Sequence, residues 1–163
     1  MTLETYQTAA DTTAMHPNKG NNLFYPVLGL IGEWGEATAA RTNGTTEKDI
    51  LLEHGDILWY LSTVCTELQI SLSEIADSKT ADTPIIILGQ IAEVVKKLMR
   101  DDNSVVTDKH RELLKPLLAK LFFIVKVTVE SYGSTIADIA NMNIQKLADR
   151  KARNVIQGNG DYR

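Results

Sequence analysis

The sequence of 163 residues has few of the features that define several common protein classes. It contains a single cysteine, Cys65, so an internal disulfide and multi-cysteine zinc or iron–sulfur sites are excluded. Lysine and arginine together number 17 against 21 aspartates and glutamates, and the resulting formal net charge of -4 argues against a nucleic-acid partner. One unpaired cysteine fits a reducing compartment, and we therefore expect a cytoplasmic protein.

The sequence also lacks a long apolar run. Its longest apolar stretch, residues 117–129, is interrupted by Lys120 and Lys126 and is shorter than the roughly 20 residues that a membrane span needs. Residues 1–6 show neither the basic leader nor the apolar segment of a signal peptide. We expect no membrane partner.

Hydrophobic periodicity is helical almost throughout, because apolar residues recur at intervals of three and four. This pattern predicts an all-α protein with one domain over residues 1–163. The capping signals are Thr45-Thr46, the capping box Ser71–Glu74, and Pro84 as a first-turn residue. Helices are predicted over about 3–15, 23–42, 47–68, 71–77, 84–100, 108–131 and from 134 onward.

Four acids stand out from this helical background. Glu33 and Glu36 on the second helix, and Glu53 and Asp56 on the third, are each spaced i, i+3 and therefore share a helical face. Both segments are otherwise apolar, which predicts that the acids point into the bundle, where ionised carboxylates need compensating cations. Oxygen donors without histidine or cysteine suit Mg²⁺, or Mn²⁺, and Mg²⁺ commonly takes phosphate oxygens as further ligands.

Helical glycines accompany the acids. Gly29, Gly32 and Gly35 recur every three residues on the second helix, and Gly55 lies between Glu53 and Asp56. Each glycine costs a helix roughly 1 kcal/mol relative to alanine. The cost predicts either close approach of a neighbouring helix or room for a ligand.

Residues 28–37, followed by 53–61, resemble the ExxE…ExxD signature of the MazG-like, all-α nucleoside triphosphate pyrophosphohydrolases, which are relatives of the dimeric dUTPases. The resemblance implies a four-helix-bundle fold in which Glu33, Glu36, Glu53 and Asp56 hold Mg²⁺ and carry the catalysis. It implies hydrolysis of a nucleoside or deoxynucleoside triphosphate to the monophosphate and pyrophosphate. It also implies a homo-oligomer, a dimer or a tetramer.

A third stretch, residues 139–151, resembles the closing helix of this family, in which an Asn and a Lys or Arg reach the substrate phosphates. The matching residues are Asn143 and Lys146, and Arg150 and Lys151 add local positive charge suited to phosphates. Whether this helix completes the site of its own chain or of a neighbour stays open. Residues 158–163 are similar to the tails of phage-encoded members, for which the compartment would be the host cytoplasm.

The chain departs from short family members in its middle. Residues 88–93 echo 28–33 and residues 136–141 echo 72–77, so a degenerate repeat is predicted, with chance similarity of amphipathic helices as the alternative. In the second copy Lys96 replaces Glu36, while Leu117 and Lys120 fall opposite Glu53 and Asp56. The hypothesis divides the domain into a catalytic half at about 1–78, a degenerate repeat at about 79–141, and a basic helix and tail at 142–163.

Aromatic and histidine residues have two interpretations each. Trp34, beside the acids, either stacks on a nucleobase or belongs to the core. His54 projects about 100° away from Glu53 around the helix, and we expect it at the surface or an interface. His16 and His110, in a turn and near a helix start, are expected to be exposed.

Two other functions compete with hydrolysis. A non-catalytic nucleotide-binding or protein-interaction bundle would keep the fold without turnover. A di-iron carboxylate bundle is less favoured, because it needs Glu-x-x-His pairs and neither Glu33 nor Glu53 begins one.

Overall fold

The computed structural model describes residues 1–153, and in that range it contains six α-helices, one 3₁₀ turn and no β-strand. The all-α prediction is confirmed, while the tail motif at 158–163 lies outside the described residues. The elements are α1 (Leu3–Asp11), α2 (Phe24–Thr42), α3 (Glu47–Glu67), the 3₁₀ turn (Leu72–Ile75), α4 (Pro84–Asp101), α5 (Asp108–Ser131) and α6 (Ile136–Ala152).

The predicted helix starts form as the sequence indicates. The Thr46 side chain accepts a hydrogen bond from the backbone N–H of Asp49 at the start of α3. The capping box of Ser71 and Glu74 is present with both of its bonds, although it opens a 3₁₀ turn rather than an α-helix. Pro84 occupies the first turn of α4, where its missing N–H costs nothing.

Helix α3 is the centre of the molecule and packs against α1, α2, α5, α6 and the 3₁₀ turn. Most of its apolar side chains are buried, and Leu51, Leu52, Trp59 and Tyr60 are half-buried, as expected for a helix surrounded on most sides. Cys65 is one of them, and burial raises the pKa of its thiol to about 12, so the predicted core role is confirmed. Because α3 carries Glu53 and Asp56, these acids are held by the most constrained element of the fold.

Helices α2 and α3 form a first helical hairpin, and α4 and α5 form a second. Helix α4 also contacts α2, and α5 contacts α3. Three of the four positions that the repeat aligns with the acids of the first half form partly exposed ion pairs, and the fourth is Leu117. Glu93 pairs with Lys96, and Lys120 pairs with Asp82 at 2.7 Å. Within residues 1–153, no helix is both long enough and apolar enough to span a membrane.

The loop between α1 and α2 is anchored by a buried carboxylate. Glu67, at the end of α3, accepts hydrogen bonds from the backbone N–H groups of Gly20 at 2.7 Å and Asn22 at 2.9 Å. His16 Nε2 lies 3.4 Å from Glu67 Oε1, and the His16 ring stacks on Tyr25 with the ring centroids 5.0 Å apart. The first turn of α2 is thereby fixed against α3.

The prediction that His16 and His110 are exposed is wrong, because both are buried, and His54, expected at the surface or an interface, is buried within the chain as well. Each finds a nearby partner that replaces water. His54 Nδ1 lies 2.7 Å from the carbonyl oxygen of Ile50, and burial lowers the pKa of His54. His110 Nδ1 accepts a hydrogen bond from the backbone N–H of Thr107 at 3.1 Å.

Candidate metal centre

Three of the four predicted acids converge where α2 packs against α3. Glu33 from α2 and Glu53 and Asp56 from α3 each offer a carboxylate oxygen, and these atoms all lie within 4.8 Å of one another. All three residues are half-buried. The i, i+3 spacing accounts for the pair on α3, and the packing of the two helices brings Glu33 to it.

Glu36, the fourth predicted acid, lies outside this trio. Its residue is exposed one turn after Glu33, on the solvent side of the cluster. Its negative charge still acts on the site, since it is one of the charges that raise the pKa of Glu33.

Glu33 has a strongly perturbed acidity. Burial is the largest cause, followed by the negative charges of Asp56, Glu36 and Glu53, and together they raise its pKa from 4.5 to about 8. Lys146 opposes this shift only partly. The repulsion among these half-buried carboxylates is one that a divalent cation bound between them would relieve.

Helix α6 of the same chain supplies the nearest donors. Asn143 Nδ2 donates a hydrogen bond to Asp56 Oδ1 at 2.8 Å, and Lys146 Nζ pairs with Asp56 Oδ2 at 2.5 Å. Asn143 is buried and Lys146 is largely buried. The two polar residues singled out on the closing helix thus meet the acidic cluster within one chain.

Two tyrosines near the site were missed by the sequence reasoning. The Tyr6 hydroxyl, on α1, donates a hydrogen bond to Asn143 Oδ1 at 2.9 Å. Burial, the charge of Tyr25 and then the carboxylates of Glu33, Asp56 and Glu36 raise the pKa of Tyr60, which places its phenol beside the cluster. No sequence signal marks Tyr6, whereas Gly29, against which Tyr60 packs, is an indirect signal for Tyr60.

The helical glycines fall into two groups. A Cβ at Gly55 would lie 3.3 Å from Asn143 Cβ, so this glycine lets α6 approach α3. A Cβ at Gly29 would overlap the Tyr60 ring. Gly32 and Gly35, in contrast, have open space within 4 Å of an added Cβ, and both are exposed beside the acids of α2.

The other predicted site residues, Trp34, Arg150 and Lys151, differ in their burial. Trp34 is half-buried and packs against the hydrophobic core. Arg150 is buried and Lys151 is exposed in the last turn of α6, about one turn beyond Lys146. Within residues 1–153 the three carboxylates are the one group of histidine, cysteine, aspartate and glutamate side chains with metal-binding spacing.

A segment of 75 residues is 36% identical to the Gene 37 protein of Mycobacterium phage L5. The match covers 46% of this chain and 66% of the phage protein, so the chain spans slightly less than two thirds of that relative. No protein-family model matches the chain. No solved structure matches it either.

Proposed function

We propose that the protein is a Mg²⁺-dependent nucleotide pyrophosphohydrolase that converts a nucleoside or deoxynucleoside triphosphate to the monophosphate and pyrophosphate. The observation that carries the proposal is the convergence of Glu33, Glu53 and Asp56 from two packed helices, with one oxygen of each within 4.8 Å of the others. The resemblance of these segments to the MazG-like signature supports the choice of reaction.

The residues present fit a hard divalent cation. The donors are carboxylate oxygens only, which suits Mg²⁺ and also Mn²⁺. A bound cation would offset the burial and the mutual repulsion of the carboxylates that raise the pKa of Glu33. A bound Mg²⁺ would neutralise charge that develops on the phosphate oxygens during hydrolysis. The absence of a histidine from the trio disfavours the di-iron alternative, which needs imidazole ligands.

We assign Glu33 as the general base. Burial and the neighbouring acids make the Glu33 carboxylate the one most ready to take up a proton, since they raise its pKa to about 8 in the ion-free protein. A bound divalent cation would lower that pKa and keep Glu33 ionised near neutral pH, as a base must be. The water oxygen would bond to the α-phosphorus as the bond to the bridging oxygen breaks, so pyrophosphate leaves and the proton passes to Glu33. Glu36, exposed on the solvent side, would contribute charge and contacts to the phosphate-bound ion.

The substrate phosphates would meet the positive residues of α6. Lys146 already lies at the cluster, and Lys151 is exposed one turn further along the same helix. The open faces of Gly32 and Gly35 leave space beside the acids for a polyphosphate. Trp34 and Arg150 remain candidates for substrate contact through rearrangement of their packing.

The proposal extends to location and assembly. Nucleoside triphosphates are cytoplasmic metabolites, so we place the activity in the cytoplasm, which for a phage protein is that of the host. The family resemblance favours a homo-oligomer, a dimer or a tetramer. The net charge of -4 gives no reason to add a nucleic-acid partner.

A pyrophosphate-release assay with a panel of ribo- and deoxynucleoside triphosphates tests the proposal. We expect Mg²⁺-dependent turnover by the wild type and its loss, by about a hundredfold or more, in Glu53→Gln with the helical far-UV signal retained. Glu93→Gln is the matched control, because Glu93 is an exposed acid on α4 at the repeat position of Glu33.

The main alternative is a non-catalytic nucleotide-binding or protein-interaction bundle. It is favoured by one observation, namely that Asp56 already has Lys146 and Asn143 as partners inside the protein. Tight nucleotide binding without pyrophosphate release from any member of the panel would support this alternative and contradict hydrolysis.

A further inference from the structure

The hydroxyl of Tyr6 is a buried polar group that the proposed reaction does not use. Tyr6 lies on α1, outside every motif of the candidate site, and its side chain has no solvent exposure. Its hydroxyl bonds to Asn143 Oδ1 at 2.9 Å, across 137 positions of the chain. A buried hydroxyl requires such a partner, but the choice of this partner links α1 to the acidic cluster.

The direction of every hydrogen bond in this link is fixed by chemistry. An ionised Asp56 carboxylate can only accept, so the Asn143 amide must present its NH₂ group to Asp56. The amide oxygen then faces Tyr6, and Tyr6 must donate. Burial and the nearby charge of Asp56 raise the pKa of Tyr6, which keeps the required proton in place.

Both oxygens of Asp56 are held from α6. Asn143 donates to Oδ1 and Lys146 pairs with Oδ2, while Gly55 leaves the space that lets Asn143 come this close. A carboxylate held at both oxygens keeps one orientation toward Glu33 and Glu53. Mutation of partners that orient metal ligands in this way typically lowers metal affinity by about 10- to 100-fold.

We propose that Tyr6 is a positioning residue that fixes the Asn143 amide, and through it the Asp56 carboxylate, in the orientation that binds a divalent cation. The inference rests on the metal site of the proposed function and deepens it. It assigns Asn143, which is 1% exposed and bonded at both ends of its amide, to Asp56 rather than to the substrate phosphates.

The competing explanation is that Tyr6 only packs α1 onto the bundle. Thr13, just after α1, provides a matched control, because its hydroxyl accepts a hydrogen bond from Trp59 Nε1 at 3.0 Å and so also ties this region to α3. Thr13→Val removes that bond while nearly preserving the side-chain volume. A purely structural role of Tyr6 predicts that Tyr6→Phe and Thr13→Val behave alike.

The experiment titrates the full-length chain with Mn²⁺ and follows the free ion by electron paramagnetic resonance. The variants are Tyr6→Phe, Asn143→Leu, the double variant and Thr13→Val, each with its thermal midpoint measured. We expect Mn²⁺ affinity to fall about tenfold in Tyr6→Phe and about 10- to 100-fold in Asn143→Leu. The double variant should bind as Asn143→Leu does, since Tyr6 acts through Asn143. Thr13→Val should keep wild-type affinity even where its thermal midpoint falls.

Three results would each overturn the inference while leaving the metal site intact. Tyr6→Phe could bind Mn²⁺ with wild-type affinity, the two losses of affinity could add in the double variant, or Thr13→Val could lose as much Mn²⁺ affinity as Tyr6→Phe. If Tyr6→Phe does not fold, Asn143→Leu serves alone, because unchanged Mn²⁺ affinity there contradicts the role assigned to the amide. A wild type that binds no Mn²⁺ would contradict the proposed function itself.

Discussion

The ring of Tyr60 on α3 lies directly against the α-carbon of Gly29 on α2, in the space that any other side chain at position 29 would fill. This contact brings α2 and α3 together about one turn before Glu33. It also holds the Tyr60 phenol beside the carboxylates that raise its pKa. The glycine of one helix and the tyrosine of the other therefore set the spacing of the candidate metal centre.

Alanine substitutions along α2 should distinguish the glycine that contacts Tyr60 from a glycine that faces open space. Gly29→Ala is expected to destabilise the fold by about 1–3 kcal/mol, because its methyl group would overlap the Tyr60 ring. Gly32→Ala, which meets nothing within 4 Å, should stabilise it by roughly 1 kcal/mol through helix propensity. Urea unfolding of both variants checks the pair, and equal effects of the same sign would contradict the packing described.

The stability of the metal-free protein should depend on pH through Glu33. Its pKa of about 8 in the fold exceeds the ordinary 4.5, so the folded state binds the additional proton. The contribution of Glu33 to stability is therefore fully present below about pH 4.5 and is lost as the pH rises toward 8.

Urea unfolding in EDTA, of wild type and of Glu33→Gln, measures this effect. The glutamine side chain resembles the protonated acid and cannot titrate, so the difference in unfolding free energy between the two proteins should shift in favour of the variant as the pH rises. A difference that stays constant from pH 4.5 to 8 would show that Glu33 has an ordinary acidity.

Lys146 should affect metal and nucleotide in opposite directions. Lys146→Met removes the positive charge paired with Asp56, while Asn143 still holds the other oxygen of that carboxylate. The lost charge repulsion should therefore outweigh the lost orientation, and we expect Mn²⁺ to bind several-fold more tightly. The same change removes a donor for phosphate and should raise the KM for the nucleotide about tenfold or more. Lys120→Met, which breaks the pair with Asp82 on the second hairpin, is the control and should change neither quantity.

Glu67 should matter for stability without affecting the metal site. Its buried carboxylate accepts from the backbone N–H groups of both Gly20 and Asn22, and a glutamine can accept from only one of them in the same place. Glu67→Gln is expected to lower the unfolding free energy by about 1–3 kcal/mol. Urea unfolding of Glu67→Gln, compared with the exposed control Glu130→Gln, measures the change in unfolding free energy. An unchanged Mn²⁺ affinity in Glu67→Gln would confirm that Glu67 acts separately from the acidic cluster.

The sequence predicts the local features of the molecule well and the long-range ones poorly. The helices follow from the spacing of apolar residues at about 3.6 positions, which each segment encodes by itself. The same period places Glu33 and Glu36 on one helical face, and Glu53 and Asp56 on another. The bond between Tyr6 and Asn143 joins residues 137 positions apart, and no periodicity encodes it. The helical angle predicts His54 at the surface or an interface, because it takes no account of the backbone acceptor at Ile50, which permits burial of the ring.

Anomalous diffraction from crystals soaked in Mn²⁺ tests the central claim most directly, since it locates the ion without reference to activity. The account predicts that the strongest anomalous peak lies among the carboxylate oxygens of Glu33, Glu53 and Asp56, and that it disappears in Glu53→Gln crystals. A strongest peak bound elsewhere in the wild type, or one that persists unchanged at this position in Glu53→Gln, would contradict it.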